Sequence, residues 1–323
     1  MIDAKFGLPG VRAAFYTASA INFLVKLILM KAQCRFSIHF AVAGSAFITL
    51  VLSAVTARGD SSLSSYVEIS NGGELGTDQV DMSTGGWIRS VGVGTVNLAP
   101  EMDIMDGAVV RFSAISGSDL NLRLYRAGTG AELHFGGAGD TGTVTLADNF
   151  FSGGSQDVYV DSGTLLVPGD GQGALLRATT TTVASGATID FGAHSDWIAS
   201  LAGSGTIHLS DTDLEIRDFS FDGTIDGANR VTFSRSGSWQ GRFLGVGEVA
   251  LSANQSLSIL DAATAANLST LDSLRLSSGS TLDLRTYDAS LNNLYGAGML
   301  ARAGSPMSAP ICAMSGPSFI LRS

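Results

Sequence analysis

The feature that most constrains this chain is a grammar of very short strands. From Val109 onward, apolar-polar-apolar triplets are separated by Gly, Ser, Asn and Asp, as in Leu120-Asn121-Leu122, Thr143-Val144-Thr145-Leu146, Val158-Tyr159-Val160, Leu214-Glu215-Ile216, Val231-Thr232-Phe233, Leu257-Ser258-Ile259 and Leu282-Asp283-Leu284. Successive strand side chains point to opposite faces, so each triplet offers two apolar residues to a core and one polar residue to solvent. The words between them recur. Ser162-Gly163-Thr164-Leu165 returns as Ser185-Gly186-Ala187-Thr188-Ile189 and as Ser278-Gly279-Ser280-Thr281-Leu282, and a Gly-x-Gly precedes a strand at Gly203, Gly245 and Gly296. A unit of about 20 to 25 residues accounts for these spacings, and a unit that small buries its apolar face only by stacking on its neighbours. The expectation is an all-β chain: a parallel β-helix (solenoid) of roughly ten coils. Helical patterning is nearly absent; the Ala-rich stretch Asp261 to Leu271 reads as a loop or a single turn on a coil.

Upstream, Phe36 to Ala57 carries no charge, follows Lys31 and Arg35, and closes on Val55-Thr56-Ala57. A basic n-region, an apolar h-region and small residues at the end make a signal peptide, with cleavage after Ala57. The run is also long enough to span a bilayer, which takes about 20 apolar residues, so an uncleaved anchor is the competing reading. The residues before Met30 read either as an N-terminal extension or as the result of a start placed too far upstream. The expected organisation is 1–57 extension and signal, 58–108 N-terminal cap and first coils, 109–300 β-helix and 301–323 irregular tail. In that tail three of the six prolines gather with Met307, Cys312 and Met314, as a shifted reading frame would produce.

Charge excludes one class of partner. The segment up to Ala57 holds five of the 19 Lys and Arg and one of the 29 Asp and Glu, so the remainder has a net charge of −14. Phosphate binding needs clustered positive charge, so a nucleic-acid partner is not expected, and membrane contact is expected only through the signal segment. Cys34 lies in the signal and Cys312 in the tail, so no disulfide framework exists; a domain of this size can bury a core without one. No cofactor motif is present.

One stretch resembles something specific. Phe135-Gly136-Gly137-Ala138-Gly139-Asp140-Thr141-Gly142-Thr143-Val144-Thr145-Leu146, Asn149-Phe150-Phe151-Ser152-Gly153-Gly154-Ser155 and Val158-Tyr159-Val160-Asp161-Ser162-Gly163-Thr164-Leu165-Leu166-Val167 are similar in turn to the opening, middle and close of the passenger-associated transport repeat of bacterial autotransporters. The resemblance runs from Phe135 to Val167, with decayed versions from 183 to 300. It implies a right-handed parallel β-helix, exported through the inner membrane of a Gram-negative bacterium and carried to the outer membrane, cell surface or medium by an outer-membrane β-barrel translocator. That barrel, which needs several strands of about ten alternating residues, is absent from this chain; without one the product would stay in the periplasm. The function expected from the resemblance is a structural stalk or adhesin with a host or matrix surface ligand, not a catalyst. The alternatives are a secreted polysaccharide-cleaving enzyme on the same fold, or the non-functional product of a truncated gene.

Candidate sites are few. Arg58-Gly59-Asp60, near the mature N-terminus, is an adhesion tripeptide. Asp211 and Asp213, two apart on a strand-like segment and expected to face the same way, make with Arg217 a candidate glycan site, because paired carboxylates with a cation suit polysaccharide cleavage. Gly137-Ala138-Gly139-Asp140-Thr141-Gly142 fits GxGxxG but lacks the following helix of a dinucleotide site, so it reads as a tight turn. His134, His194 and His208 lack metal-ligand spacing and read as solvated coil residues. Trp87, Trp197 and Trp239 read as residues that cap or fill the solenoid. No GxSxG or comparable nucleophile context occurs.

Overall fold

The computed structural model describes residues 66–70, 74–75, 85–98, 102–122, 124–146, 155–168, 178–302 and 314–321. The signal segment, Arg58-Gly59-Asp60 and the middle of the transport-repeat resemblance, 149–154, lie outside the described residues.

The strands stack as a β-solenoid of about nine turns, nearly all of it parallel. A long sheet runs from Tyr66–Ser70 to Ala289–Gly296 with every neighbour parallel, and a second sheet of nine strands runs beside it from Glu74–Leu75 to Arg242–Leu244. Both flanking strands of the transport-repeat resemblance belong to the second sheet, where Thr143–Leu146 and Thr164–Leu166 are direct neighbours, Val144 opposite Leu165. The triplet grammar has the anticipated result. Val96, Leu120, Val144, Leu165, Ile189, Ile207, Ile225 and Phe243 form one inward row across eight rungs, each 2% exposed or less. Burying each such side chain is worth roughly 1.5–3 kcal/mol, and the row exists only because the rungs stack.

The coils are less uniform than the repeats suggest. One turn of the solenoid carries Trp87 to Arg111 and His134 to Tyr159, but farther along it carries Leu201 only as far as Phe219 and Leu214 only as far as Val231. The contraction comes from the return segment: 209–212 and 227–229 are bare turns, whereas the strands Thr164–Leu166 and Ala178–Val183 lie farther apart in sequence. The Gly-x-Gly words also divide into two kinds. At Gly203-Ser204-Gly205 the two following amides, Ser204 and Gly205, both donate to Val183 O at 2.9 and 3.0 Å. At Gly296-Ala297-Gly298 the pair Ala297 and Gly298 does the same to Leu276 O at 2.9 and 3.1 Å. Gly203 and Gly296 take φ of +97° and +119°, and a Cβ at either would fall on the carbonyl it caps. Gly245-Val246-Gly247 instead lies on the return side, where Gly247 N donates to Ala228 O.

The cross-section changes at Trp239. A third sheet begins with Gly237–Trp239 and continues through Ser256–Ile259, Thr281–Asp283 and Met299–Ala301, just as the second sheet ends at Arg242–Leu244. Trp239 is fully buried at the junction, stacked on Phe243 at 5.1 Å, with Phe233 at 5.1 Å and Phe219 and Phe221 both at 5.9 Å.

The stretch expected to be a loop or single turn is a short α-helix, Ala262–Asn267, extended by a 3-10 turn, Leu268–Thr270. Asp261 caps it by accepting from Thr264 N at 2.7 Å, which the Ala-rich composition then propagates. The helix terminates the second sheet. Asn267 accepts from Phe243 N at 2.6 Å and donates to Phe243 O at 2.9 Å, supplying both bonds that a further strand would make to that residue. The tail expected to be irregular contributes a strand, Met314–Leu321, which pairs antiparallel with Ala289–Gly296 and covers that end of the long sheet.

Candidate functional site

The densest chemistry among the described residues lies on the outward face of the long sheet over its first five rungs. Parallel in-register pairing sets Tyr66, Trp87, Arg111, His134 and Tyr159 in one row. Tyr66 meets Trp87 edge to face at 4.9 Å, and His134 stacks on Tyr159 at 4.6 Å with their planes 11° apart. The guanidinium carbons of Arg89 and Arg111 both lie 5.9 Å from the Trp87 ring centre, while Trp87 Nε1 donates to Ser113 Oγ at 2.8 Å.

Two ion-pair knots flank this row. Arg89 holds Asp140 through Nη2 at 2.6 Å and Nε at 3.1 and 3.2 Å, and reaches Glu68 at 3.3 Å. Asp140 is 1% exposed, so the GxGxxG segment is a turn, as expected, but its acid is a buried anchor for a cation 51 residues away. That pairing raises the Arg89 pKa further. Tyr66 donates to Glu68, and burial first, then the Glu68 hydrogen bond, push its hydroxyl up to about 12. In the second knot Asp161 accepts from Arg111 at 2.9 Å and meets His134 Nδ1 at 2.9 Å, while Arg111 also donates to Gly136 O. Burial would raise the Asp161 carboxyl, but the hydrogen bond and charge of His134, joined by Arg111, hold it below its ordinary value.

Beside the second knot Glu132 and Asp157 occupy the same register position on adjacent strands, their backbones about 4.8 Å apart. Asp157 Oδ1 is buried and has no hydrogen-bond partner among the described residues. The Tyr159 hydroxyl is raised by burial, then by the charges of Asp157, Glu132 and Asp161. Two carboxylates, an imidazole and a phenol on one face are groups that can accept hydrogen bonds from sugar hydroxyls or move a proton.

The residues singled out in the sequence are placed differently. Asp211 is an exposed turn residue with φ +60°, outside the strand, so the alternation that would align it with Asp213 does not reach it. Asp213, Glu215 and Arg217 share the outward side of Asp213–Phe221. Asp213 accepts from Asn229 Nδ2 at 2.8 Å and lies 3.5 Å from Arg230, whereas Arg217 pairs with Glu215 at 3.4 Å and lies 3.9 Å over the Trp197 ring. Arg217 and the two aspartates are therefore not gathered into one site. Trp239 fills the core; Trp87 and Trp197 are half-buried under arginines. His134 and His208, expected to be solvated coil residues, are strand residues paired to Asp161 and Asp226, the latter at 3.0 Å. His194 lies in a turn, where its carbonyl accepts from Thr212 Oγ1 at 3.0 Å. Among the described residues no group of three or more His, Cys, Asp or Glu is placed to hold a metal ion, and no helix is long and apolar enough to cross a membrane.

Sequence reasoning missed the Glu132, His134, Asp157, Tyr159 cluster, yet the signal was there. A single offset carries Glu132 to Asp157, His134 to Tyr159 and Phe135 to Val160, and alternation then puts the first two pairs outside. Comparison with known proteins adds no further constraint: no family model, curated protein or solved structure matches the chain.

Proposed function

We propose that the chain is the exported β-helical passenger, or a passenger fragment, of an autotransporter-like bacterial surface protein, acting as a stalk or adhesive surface rather than a catalyst. The observation that supports this reading is the use to which the outward face is put. Its arginines are largely spent on carboxylates between rungs, Arg89 on Asp140, Arg111 on Asp161, Arg230 on Glu248 and Arg235 on Asp218, and His134 and His208 are hydrogen-bonded to Asp161 and Asp226. A scaffold whose cations are tied to carboxylates from coil to coil is suited to extend and present a surface. On this reading an outer-membrane β-barrel carries the solenoid out, and the ligand is a host or matrix surface.

The test is export. The full chain with an epitope tag, produced in a Gram-negative host with and without a fused translocator barrel, is fractionated, and the mature N-terminus is sequenced. A product beginning at Arg58, periplasmic alone and protease-accessible on intact cells with the barrel, is expected. A product that stays in the cytoplasm with its N-terminus intact refutes the reading. The enzyme alternative has one observation in its favour, the adjacent carboxylates of Glu132 and Asp157. Release of reducing ends from a polysaccharide, abolished by Glu132→Gln or Asp157→Asn, would make it the better one.

A further inference from the structure

Farther along the same outward face, a depression of about 190 Å³ opens between Arg230, Thr232, Ala250, Ser252, Arg275 and Ser277. Its origin is one missing side chain. Thr232, Ala250 and Arg275 are register neighbours on three successive strands, so a methyl group sits between two longer side chains. Ala250 is an outward position, yet only 6% exposed. The depression is smaller than the roughly 300–1,000 Å³ of drug-sized sites. It fits a functional group rather than a whole ligand.

The lining has one sign of unused chemistry. Arg230 is committed, with Nε on Glu248 at 2.7 Å and Nη1 3.5 Å from Asp213. Arg275 has no ion-pair or hydrogen-bond partner among the described residues, and the hydroxyls of Thr232, Ser252 and Ser277 likewise make no side-chain hydrogen bond there. A guanidinium presents a rigid fork of donors matched to two oxygens of a carboxylate or sulfate, and three hydroxyls beside it can donate to the same group. We propose that this depression is a receptor for a single oxyanion group, a carboxylate or sulfate carried by a small molecule or free in solution. A polyanion does not suit it. Glu248 and Asp272 lie on the same coils and Asp213 on the one before, and screening confines the pull of Arg275 to about 8 Å at physiological salt.

Equilibrium dialysis of the full chain against labelled sulfate and, separately, labelled galacturonate, at fixed ionic strength and pH 7, tests the assignment. One site per chain is expected, with affinity lowered about tenfold or more by Arg275→Ala. Ala250→Leu, which fills the depression without touching a charge, is expected to do the same, and Arg275→Lys to retain part of the binding. Arg242→Ala, the loss of an exposed arginine elsewhere, is expected to change nothing. Equal affinity for sulfate and galacturonate assigns the site to a free oxyanion, and tighter galacturonate assigns it to a sugar acid. The proposal is overturned if neither probe binds, if Arg275→Ala binds as the parent does, or if Arg242→Ala weakens binding equally. Heparin binding far tighter than sulfate, with a steep salt dependence, also overturns it.

Discussion

Trp239 is where the solenoid exchanges one sheet for another, and its removal should divide the molecule. The indole is fully buried and touches aromatic rings from three strands on two successive rungs: Phe219 and Phe221 on one, Phe233 and Phe243 on the next. Truncation to alanine removes the whole ring system and leaves a void whose walls belong to strands in register and cannot close. Losses of about 3–5 kcal/mol are typical of such substitutions. One term opposes this: Trp239 Nε1 is buried without a hydrogen-bond partner among the described residues, a burden on the order of 1–3 kcal/mol that the parent carries. Trp239→Phe discards that orphan while keeping most of the ring, so it should cost well under half of what Trp239→Ala costs. Trp87 and Trp197 remain as fluorescent reporters N-terminal to the junction. Because stability in a stacked array is a sum of rung and neighbour terms, urea unfolding of Trp239→Ala should become biphasic by circular dichroism. Hydrogen exchange should accelerate most in 213–251 and least in 109–146. A single transition within about 0.5 kcal/mol of the parent would refute the reasoning, as would Trp239→Phe being the more damaging change.

Thr181 is fully buried with its hydroxyl unpartnered among the described residues; Thr181→Val keeps the shape, removes the orphan and should raise stability by about 1 kcal/mol in urea denaturation. Asp196 has its pKa raised to about 6 by burial, against only a lowering hydrogen bond from Trp197 N–H. The folded state thus binds this proton more tightly than the unfolded one, and the group's contribution declines as pH rises from about 4 to about 6. Asp196→Asn should gain roughly 2 kcal/mol at pH 7 and almost nothing at pH 4, read as a Tm difference present only at the higher pH. Asn267→Asp keeps the acceptor for Phe243 N but sets a carboxylate against Phe243 O, so it should cost about 1–2 kcal/mol. The freed edge should also make the variant scatter light on mild heating where the parent does not.

Period and polarity were readable because they are written locally: Val158-Tyr159-Val160 announces a strand with Tyr159 outside whatever lies next to it. Neighbour relations were not, because they depend on the length of each coil. A contraction such as that between the His134–Tyr159 coil and the Leu214–Val231 coil moves every partner, and nothing near Asp211 reveals that its coil returns through a turn in which that aspartate takes a positive φ. The pairing of Arg89 with Asp140 spans two coils and needs both lengths at once. The Asp261 helix was hidden for another reason. So short an alanine-rich run carries no amphipathic period, and what fixes it is a tertiary bond, Asn267 on Phe243.

The outward ion pairs matter to this fold in a way their strength does not suggest. Exposed pairs such as Arg235 with Asp218 or Arg217 with Glu215 contribute about 0–1 kcal/mol each, too little beside the apolar rows to hold the solenoid together. The apolar rows, however, distinguish registers poorly. Sliding a strand by two residues returns an apolar side chain to the core, since Leu257 and Ile259 or Leu274 and Leu276 are nearly interchangeable there. The outward residues are not interchangeable. A slip that moved Arg89 by two positions would leave Asp140 buried and unpaired, and one that moved Arg230 would strand Glu248, whose side chain is 12% exposed. A buried carboxylate without its cation costs several kcal/mol. The interior therefore supplies the stability, while Asp140 and Glu248 supply the penalty that separates the native register from its neighbours.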